Sequence, residues 1–140
     1  MKPVILADTG PLVALLDRRD RYHGWAVAEL DQMTAPLASC EAVLTEACFL
    51  LRFESPAQQA LLEMVSRGEL ALPFRLENDV DRVRNLMSRY ANVPMSLADA
   101  CLVRMAEVFE RSRVLTLDGD FRIYRRNGRQ VIPTLMPTDL

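Results

Sequence analysis

The sequence predicts an α/β protein, a three-layer α/β/α sandwich around a short parallel sheet. Short apolar runs alternate with helical segments, an order typical of parallel strands joined by helical crossovers. The first run, residues 4–7, is apolar throughout and begins with two β-branched residues, as expected for a strand buried on both faces. A similar run, residues 113–117, comes late in the chain. The length of 140 residues fits one core, so we expect a single domain over residues 1–140.

An acidic residue, Asp8, follows the first strand directly. The next three residues, Thr9, Gly10 and Pro11, are expected to turn the backbone into an apolar helix over residues 12–16. Ligands of open α/β sheets bind beyond the carboxyl ends of the strands, which favours a functional role for Asp8. Alternatively, Asp8 or Thr9 only caps the helix, with Pro11 in its first turn. The sequence leaves both interpretations open.

The following segment predicts a loop over residues 17–21 and a second helix from Tyr22. Residues 34–38 are expected to form an edge strand, because Pro36 would deprive a central strand of a hydrogen bond.

The middle of the chain predicts two helices. Ser39 is expected to cap the first, over residues 40–53, which is apolar around most of its circumference. Pro56 begins the next helix and Gly68 ends it. The alternation then continues with a strand over 69–73, an amphipathic helix over 78–90, a helix from Ser96 to Glu110, the strand over 113–117 and a last short strand over 130–133.

The composition is that of a soluble globular protein, with half of the residues hydrophobic and 26% charged. A net charge of −2 argues against attachment to nucleic acid through a general basic field. The sequence contains neither a signal-peptide pattern nor an apolar run near the roughly 20 residues of a membrane span. We therefore expect a cytoplasmic protein that does not bind a membrane, with buried, reduced thiols at Cys40, Cys48 and Cys101.

The basic residues are almost all arginines, since Lys2 is the one exception among 17. Arginine is better suited than lysine to bidentate phosphate contacts, although a solvated surface or a general preference for arginine explains the bias equally well. The candidates for phosphate contacts are Arg18, Arg19, Arg122, Arg125 and Arg126.

Glu46 is the carboxylate with the weakest structural explanation. Its helical neighbours, such as Val43 and Leu50, are apolar, which predicts that the side chain emerges from a buried face. An unpaired buried carboxylate costs several kcal/mol, so Glu46 must either bind a cation or become neutral. Arg52 is one candidate partner, and a metal or a metal-bound water is the other.

The other acids have local explanations. Asp99 lies three residues after Ser96, as in a capping box, and Asp118 and Asp120 flank a glycine, as in many turns. These explanations do not account for a shared location. Asp8 and Asp118 both end apolar strands, and Asp99 opens the helix that leads into the second of them, which places all three along one rim of the sheet.

Clustered carboxylates raise one another's pKa and destabilise the fold unless a cation lies among them. Oxygen ligands without Cys or His favour Mg²⁺ or Mn²⁺, which bind phosphates and activate water. His23 is the only histidine, and no Ser-x-Asp arrangement indicates a catalytic triad. No phosphate-binding glycine motif indicates a nucleotide site.

These motifs together resemble the PIN domains, nuclease domains best known as the toxins of VapBC toxin–antitoxin pairs. Residues 7–14 (Ala-Asp-Thr-Gly-Pro-Leu-Val-Ala) resemble the opening motif of the family. Its second, third and fourth acids are matched by Glu46 in Leu-Thr-Glu-Ala, Asp99 in Leu-Ala-Asp-Ala and Asp118 in Leu-Thr-Leu-Asp-Gly-Asp-Phe, where Asp120 could replace or assist Asp118. The resemblance spans nearly the whole chain, and its specificity comes from four motifs in order.

The resemblance implies a metal-dependent endoribonuclease that leaves a 5′-phosphate and a 3′-hydroxyl. Asp8, Asp99 and Asp118 would hold Mg²⁺ or Mn²⁺, and Glu46 would orient or deprotonate the attacking water. Thr9, Ser96, Thr116 and Asp120 would be auxiliary donors or acids, and the arginines would hold RNA phosphates. Members of the family usually form homodimers and are silenced by a small, separately encoded antitoxin.

Two other functions compete with this one. A haloacid-dehalogenase-type phosphatase also begins with a strand that ends in Asp, but it needs a second Asp where this chain has Gly10. A PIN-like module that binds RNA or protein without catalysis is disfavoured by the presence of all four acids.

Overall fold

The computed structural model describes residues 2–140, and a parallel sheet lies at its centre. The strands are β1 (Val4–Ala7), β2 (Leu37–Ala38), β3 (Leu70–Ala71), β4 (Ser112–Leu115), β5 (Arg125–Arg126), β6 (Gln130–Val131) and β7 (Thr134–Leu135). Five of them form the main sheet in the order β3-β2-β1-β4-β7, and every pairing in it is parallel.

Six α-helices flank this sheet in the part of the chain that the structure describes. They are α1 (Thr9–Leu16), α2 (His23–Gln32), α3 (Glu41–Leu50), α4 (Ser55–Ser66), α5 (Leu76–Arg89) and α6 (Leu97–Val108). A single 3-10 helix, Gly119–Arg122, follows β4. The predicted α/β/α sandwich with a short parallel sheet is confirmed. No helix within residues 2–140 is long and apolar enough to cross a membrane.

The first strand is the centre of the sheet. β1 pairs with β2 on one side and with β4 on the other, and Leu6 and Ala7 are fully buried. This burial on both faces is what an unbroken apolar run predicts. The predicted bounds, residues 4–7, agree with the structure.

The prediction of an edge strand around Pro36 is wrong. β2 lies inside the sheet, between β3 and β1. Pro36 precedes the strand, and its carbonyl oxygen accepts a hydrogen bond of 2.9 Å from the Ile5 amide. Proline therefore takes part in the sheet as an acceptor, where its missing N–H is not required.

The predicted cap of α3 is also wrong. Cys40 occupies the N-cap position without a capping hydrogen bond from its side chain. Ser39 is fully buried, and its hydroxyl donates to the Ala7 carbonyl oxygen at 2.7 Å. The serine follows β2 directly, so it lies beside the end of β1 and links these two strands.

The last predicted strand belongs to a different sheet. β6 pairs antiparallel with β5 in a hairpin whose turn contains Asn127 and Gly128, both with positive φ. The main sheet is extended instead by β7, which the sequence did not predict. The Val114 amide donates to the Pro133 carbonyl oxygen at 2.9 Å. The hydrogen bonding between β4 and β7 therefore begins at Pro133, the residue directly before β7.

The three cysteines pack within the fold as free thiols, and the histidine joins two helices. Cys40 and Cys101 are buried and Cys48 is half-buried, and all three are free thiols. Nδ1 of His23 donates to the Ala14 carbonyl oxygen at 2.8 Å, which connects α2 to α1.

Replacing Ser39 by Ala should lower the free energy of unfolding by about 1–2 kcal/mol, because the buried Ala7 carbonyl loses its hydroxyl donor. Thr45→Ala is the control, since Thr45 is exposed and bonds only within its own helix; its effect should stay within about 0.5 kcal/mol. Urea denaturation measures both. Equal effects of the two substitutions would contradict the structural role of Ser39.

Candidate active site

Four carboxylates line one cleft of about 540 Å³ beyond the carboxyl ends of β1 and β4. They come from four separate segments of the chain, and they are Asp8, Glu46, Asp99 and Asp118. Thr9, Gly10, Leu50, Ser96, Leu117 and Gly119 complete the lining. The structure thus brings together the four acids that the sequence singled out.

Asp8 is the most deeply buried of these acids, with 6% of its surface exposed. Its Oδ1 accepts from the Thr9 amide at 2.8 Å and its Oδ2 accepts from the Thr116 hydroxyl at 2.7 Å. Burial, with a smaller contribution from the charges of Asp99 and Asp118, raises the pKa of Asp8 to about 6, although the two hydrogen bonds act to lower it. Asp8 also caps α1, which begins at Thr9 rather than after a turn. Capping and a place in the cleft are therefore compatible.

Thr116 joins two of the acids. Its buried hydroxyl donates to Asp8 and accepts from the Asp118 amide at 2.9 Å. Asp118 in turn caps the 3-10 helix by accepting from the Asp120 amide at 2.9 Å. Asp118 lines the cleft, whereas the contribution of Asp120 to this arrangement is its backbone amide.

Asp99 lies in the first turn of α6, which Ser96 caps by accepting from the Asp99 amide at 3.0 Å. Its Oδ2 accepts from the Tyr124 hydroxyl at 2.9 Å. Burial raises the pKa of Asp99 against this hydrogen bond, and the nearby charge of Asp118 adds to the increase.

Tyr124 is a site residue that the sequence analysis missed. It is fully buried, and its ring packs edge-on against Tyr90 and Phe121 at centroid distances of 5.1 and 5.2 Å. Burial and the bond to Asp99 raise the pKa of the Tyr124 hydroxyl, which keeps it a proton donor. No local motif marks Tyr124, since its role depends on the packing of the segment after β4 against α6.

The prediction that Glu46 is buried is wrong. Glu46 is exposed, and its helical neighbours Phe49 and Leu50 are 54% and 57% exposed. The face is apolar as predicted, but it is turned to solvent. Glu46 Oε2 accepts from the Thr9 hydroxyl at 3.0 Å. Arg52 is not its partner, because that guanidinium donates to the Phe49 carbonyl oxygen at 2.8 Å.

Two of the candidate arginines are occupied within the fold. Arg125 donates to three successive carbonyl oxygens, which belong to Arg122, Ile123 and Tyr124. Arg126 is half-buried and donates to the carbonyl oxygens of Ala106 and Glu110 at the end of α6. Both guanidiniums therefore donate to backbone carbonyl oxygens that lie at or just after helix ends.

The other three candidates lie at the surface. Arg18 is exposed, and Arg19 pairs with Asp17 and Glu54. Arg122 donates to the Leu140 carbonyl oxygen at 2.8 Å, and its guanidinium lies beside Gly119 at the cleft. The Arg122 side chain thus lies beside a residue that lines the cleft.

Gly10 allows a close approach between α1 and the wall of the cleft. A Cβ atom at this position would lie 3.2 Å from Cβ and Cδ1 of Leu117, tighter than ordinary packing. The glycine after Asp8 and Thr9 therefore lets the first turn of α1 pack against the segment that leads to Asp118.

The side-chain atoms of the cleft that could bind a metal are all oxygens, because no Cys or His is among its lining residues. In the conformation described for residues 2–140, no group of three or more His, Cys, Asp or Glu side chains is close enough together to hold a metal ion.

The model of the PIN domain family matches residues 5–127, which is most of the chain and includes the positions of the four acids. The chain belongs to the PIN domain family. Its fold is also similar to that of a protein of known structure, Mycobacterium tuberculosis VapC20, a Sarcin-Ricin loop cleaving toxin. The two chains are 19% identical with a TM-score of 0.76, over 83% of this chain and 91% of the other.

A second solved structure resembles this PIN domain more distantly. It is VapBC2 from Rickettsia felis bound to a DNA fragment from its promoter, with 13% identity and a TM-score of 0.61 over 96% of this chain and 98% of the other. No curated protein matches the sequence significantly. At 19% and 13% identity, these two similarities establish the fold alone.

The raised pKa of Asp8 predicts a specific pH dependence of stability. Folded Asp8 binds its proton up to about pH 6, whereas an unfolded Asp releases it near its ordinary pKa of 3.8. Stability from this group is therefore present below the lower value and is lost as the pH rises to the upper one. The loss should reach roughly 3 kcal/mol in metal-free protein.

Asp8→Asn removes this titration, so its free energy of unfolding should rise relative to that of the parent between pH 4 and 7. Denaturant unfolding in a chelator measures the difference. Asp81→Asn is the control, because Asp81 is highly exposed on α5, and its profile should run parallel to that of the parent. A parallel profile for Asp8→Asn as well would contradict the assignment.

Proposed function

We propose that this PIN domain is an endoribonuclease that hydrolyses RNA phosphodiester bonds with the help of Mg²⁺ or Mn²⁺. The observation that carries the proposal is the convergence of four carboxylates on one cleft. Burial raises the pKa of two of them, Asp8 and Asp99, because it disfavours their charged form. Such an arrangement costs stability, and a divalent cation bound among the acids offsets that cost.

The donor set fits a hard divalent ion, because carboxylate oxygens are the ligands that Mg²⁺ and Mn²⁺ prefer. Asp8, Asp99 and Asp118 would hold it, although their spacing in the structure is wider than coordination requires. Bound there, the ion would polarise a phosphate oxygen and make a bound water more acidic.

The chain's own residues orient the reacting groups. Thr9 and Thr116 fix both oxygens of Asp8, and Tyr124 fixes one oxygen of Asp99. Glu46 differs from these buried acids because it is exposed and has one oxygen, Oε2, held by the Thr9 hydroxyl. Its Oε1 is the oxygen suited to accept a proton from the attacking water. Arg122, beside the cleft, is suited to hold a flanking phosphate.

We further propose that the enzyme is the toxin of a type II toxin–antitoxin pair, acts in the cytoplasm as a homodimer and is silenced by a separately encoded antitoxin. Its similarity in fold to VapC20 and to the VapBC2 complex supports this role. Purification of the chain with and without the neighbouring reading frame, followed by RNA cleavage mapping, tests it. Equal cleavage by both preparations would contradict silencing.

The acidic cleft predicts that divalent metal stabilises the protein. An ion at a hundred times its Kd adds about 2.7 kcal/mol, so millimolar Mg²⁺ or Mn²⁺ should raise the Tm by several degrees. Asp8→Asn should lose most of this shift, and Asp81→Asn should keep it. Calorimetry with and without a chelator measures the effect, and an unchanged Tm of the parent would count against a metal site.

The position of Glu46 predicts that its loss affects chemistry alone. Glu46→Gln should reduce RNA cleavage at least about a hundredfold, since Gln cannot accept the proton. Unfolding free energy should stay within about 0.5 kcal/mol, because the side chain is exposed. Glu41→Gln, on another face of the same helix, should cleave at the parent rate. A PIN domain that only binds RNA would show no difference between the two variants.

A further inference from the structure

An exposed aromatic surface adjoins the acidic cleft. Phe49 and Phe53 follow Glu46 by three and seven residues, along the same face of α3 and the turn after it. Phe53 is 82% exposed, a large value for a phenylalanine. Leu50, on this face, is itself part of the lining of the cleft. The surface therefore begins at the proposed general base and extends one to two helical turns, about 5–10 Å, away from it.

A cation is held between the two rings. The Cζ of Arg52 lies 4.0 Å from the ring centroid of Phe49 and 4.4 Å from that of Phe53. The guanidinium also donates to the Phe49 carbonyl oxygen, which fixes its position. Among residues 2–140, no carboxylate lies within ion-pair distance of Arg52. Together these three side chains form the Phe49–Arg52–Phe53 stack, which carries an unneutralised positive charge.

This combination favours nucleic acid over an apolar protein surface as the occupant. Flat aromatic rings stack on unpaired bases, and every base offers such a face. The positive charge complements a phosphate backbone, whereas an apolar partner would have to bury it without a counter-ion. Glu54, next to the stack in sequence, pairs with Arg19, which brings the loop that carries the exposed Arg18 close to the stack.

We propose that the Phe49–Arg52–Phe53 stack is a subsite for unpaired bases of a single-stranded RNA whose backbone passes the acidic cleft. This inference rests on the proposed function, which requires that the RNA backbone passes the acids of the cleft. It assigns base stacking to the outer face of Phe53 and a phosphate contact to Arg52, whose guanidinium lies between the two rings. The stack binds bases without reading their hydrogen-bonding edges, so it favours unpaired over paired RNA rather than one sequence.

Phe53→Leu and Phe53→Trp test this assignment, because Leu keeps an apolar side chain but lacks a ring, and Trp keeps a ring. The probe is a fluorescent single-stranded RNA oligonucleotide, titrated in a chelator so that it is bound but not cut. Phe53→Leu should raise its Kd about fivefold or more, and Phe53→Trp should leave it equal or lower. Val131→Ala, at a 64% exposed position on β6, is the control and should bind as the parent does.

A set of oligonucleotides with one abasic nucleotide sharpens the test. At the position that occupies the stack, loss of the base should weaken binding to the parent and have little further effect on Phe53→Leu. Equal affinities of the parent and Phe53→Leu for every oligonucleotide would overturn the proposal. A change in oligomeric mass of Phe53→Leu with unaltered RNA affinity would also overturn it and would indicate a protein interface.

Cleavage assays distinguish this proposal from the proposed function. If the parent cuts RNA with Mg²⁺ or Mn²⁺ and Phe53→Leu binds RNA equally well, the subsite is wrong and the nuclease stands. If the parent cuts no RNA but the abasic position and Phe53→Leu show the expected coupling, the subsite stands and the nuclease is wrong.

Discussion

The hydrogen bond from the Thr116 hydroxyl to the buried carboxylate of Asp8 is the contact on which the cleft depends. It exists because β1 and β4 pair in parallel with Ala7 opposite Leu115, so the residues just beyond the two strand ends are neighbours. The same hydroxyl accepts from the Asp118 amide, which positions a second acid. Strand register and site geometry are thus one constraint, and a change in either would disturb the other.

Three of the four acids in the cleft of this PIN domain fall into two physical groups. Asp8 and Asp99 are buried to different extents, have raised pKa values, and are each held by a hydroxyl donor. Glu46 is exposed and reaches the group through Thr9. In the proposed function, the first group holds a cation that restores its charge, and the second exchanges protons with water. Folds commonly store such unfavourable electrostatics at functional sites, at some cost in stability.

The arginines show that a basic segment of the sequence does not always provide guanidinium groups that are available at the surface. Arg125 and Arg126 lie in the most basic segment, yet both guanidiniums are bound to backbone carbonyls. Arg52, which looked like an internal partner of Glu46, instead lies between two exposed rings. The distribution of available cations therefore follows from which carbonyls each helix end leaves unpaired.

The sequence by itself determined the fold class, the bounds of β1, the start and end of α4 to within two residues, and the position of Asp8 beyond a central strand. These depend on periodicity, on Pro56 and Gly68, and on an apolar run, which are local properties of the chain. Only the tertiary structure decided that β2 is internal, that Ser39 bonds to Ala7, that the face around Glu46 is exposed and that Tyr124 holds Asp99. Each of these depends on contacts between distant segments, and an apolar face carries no local signal of whether another element covers it.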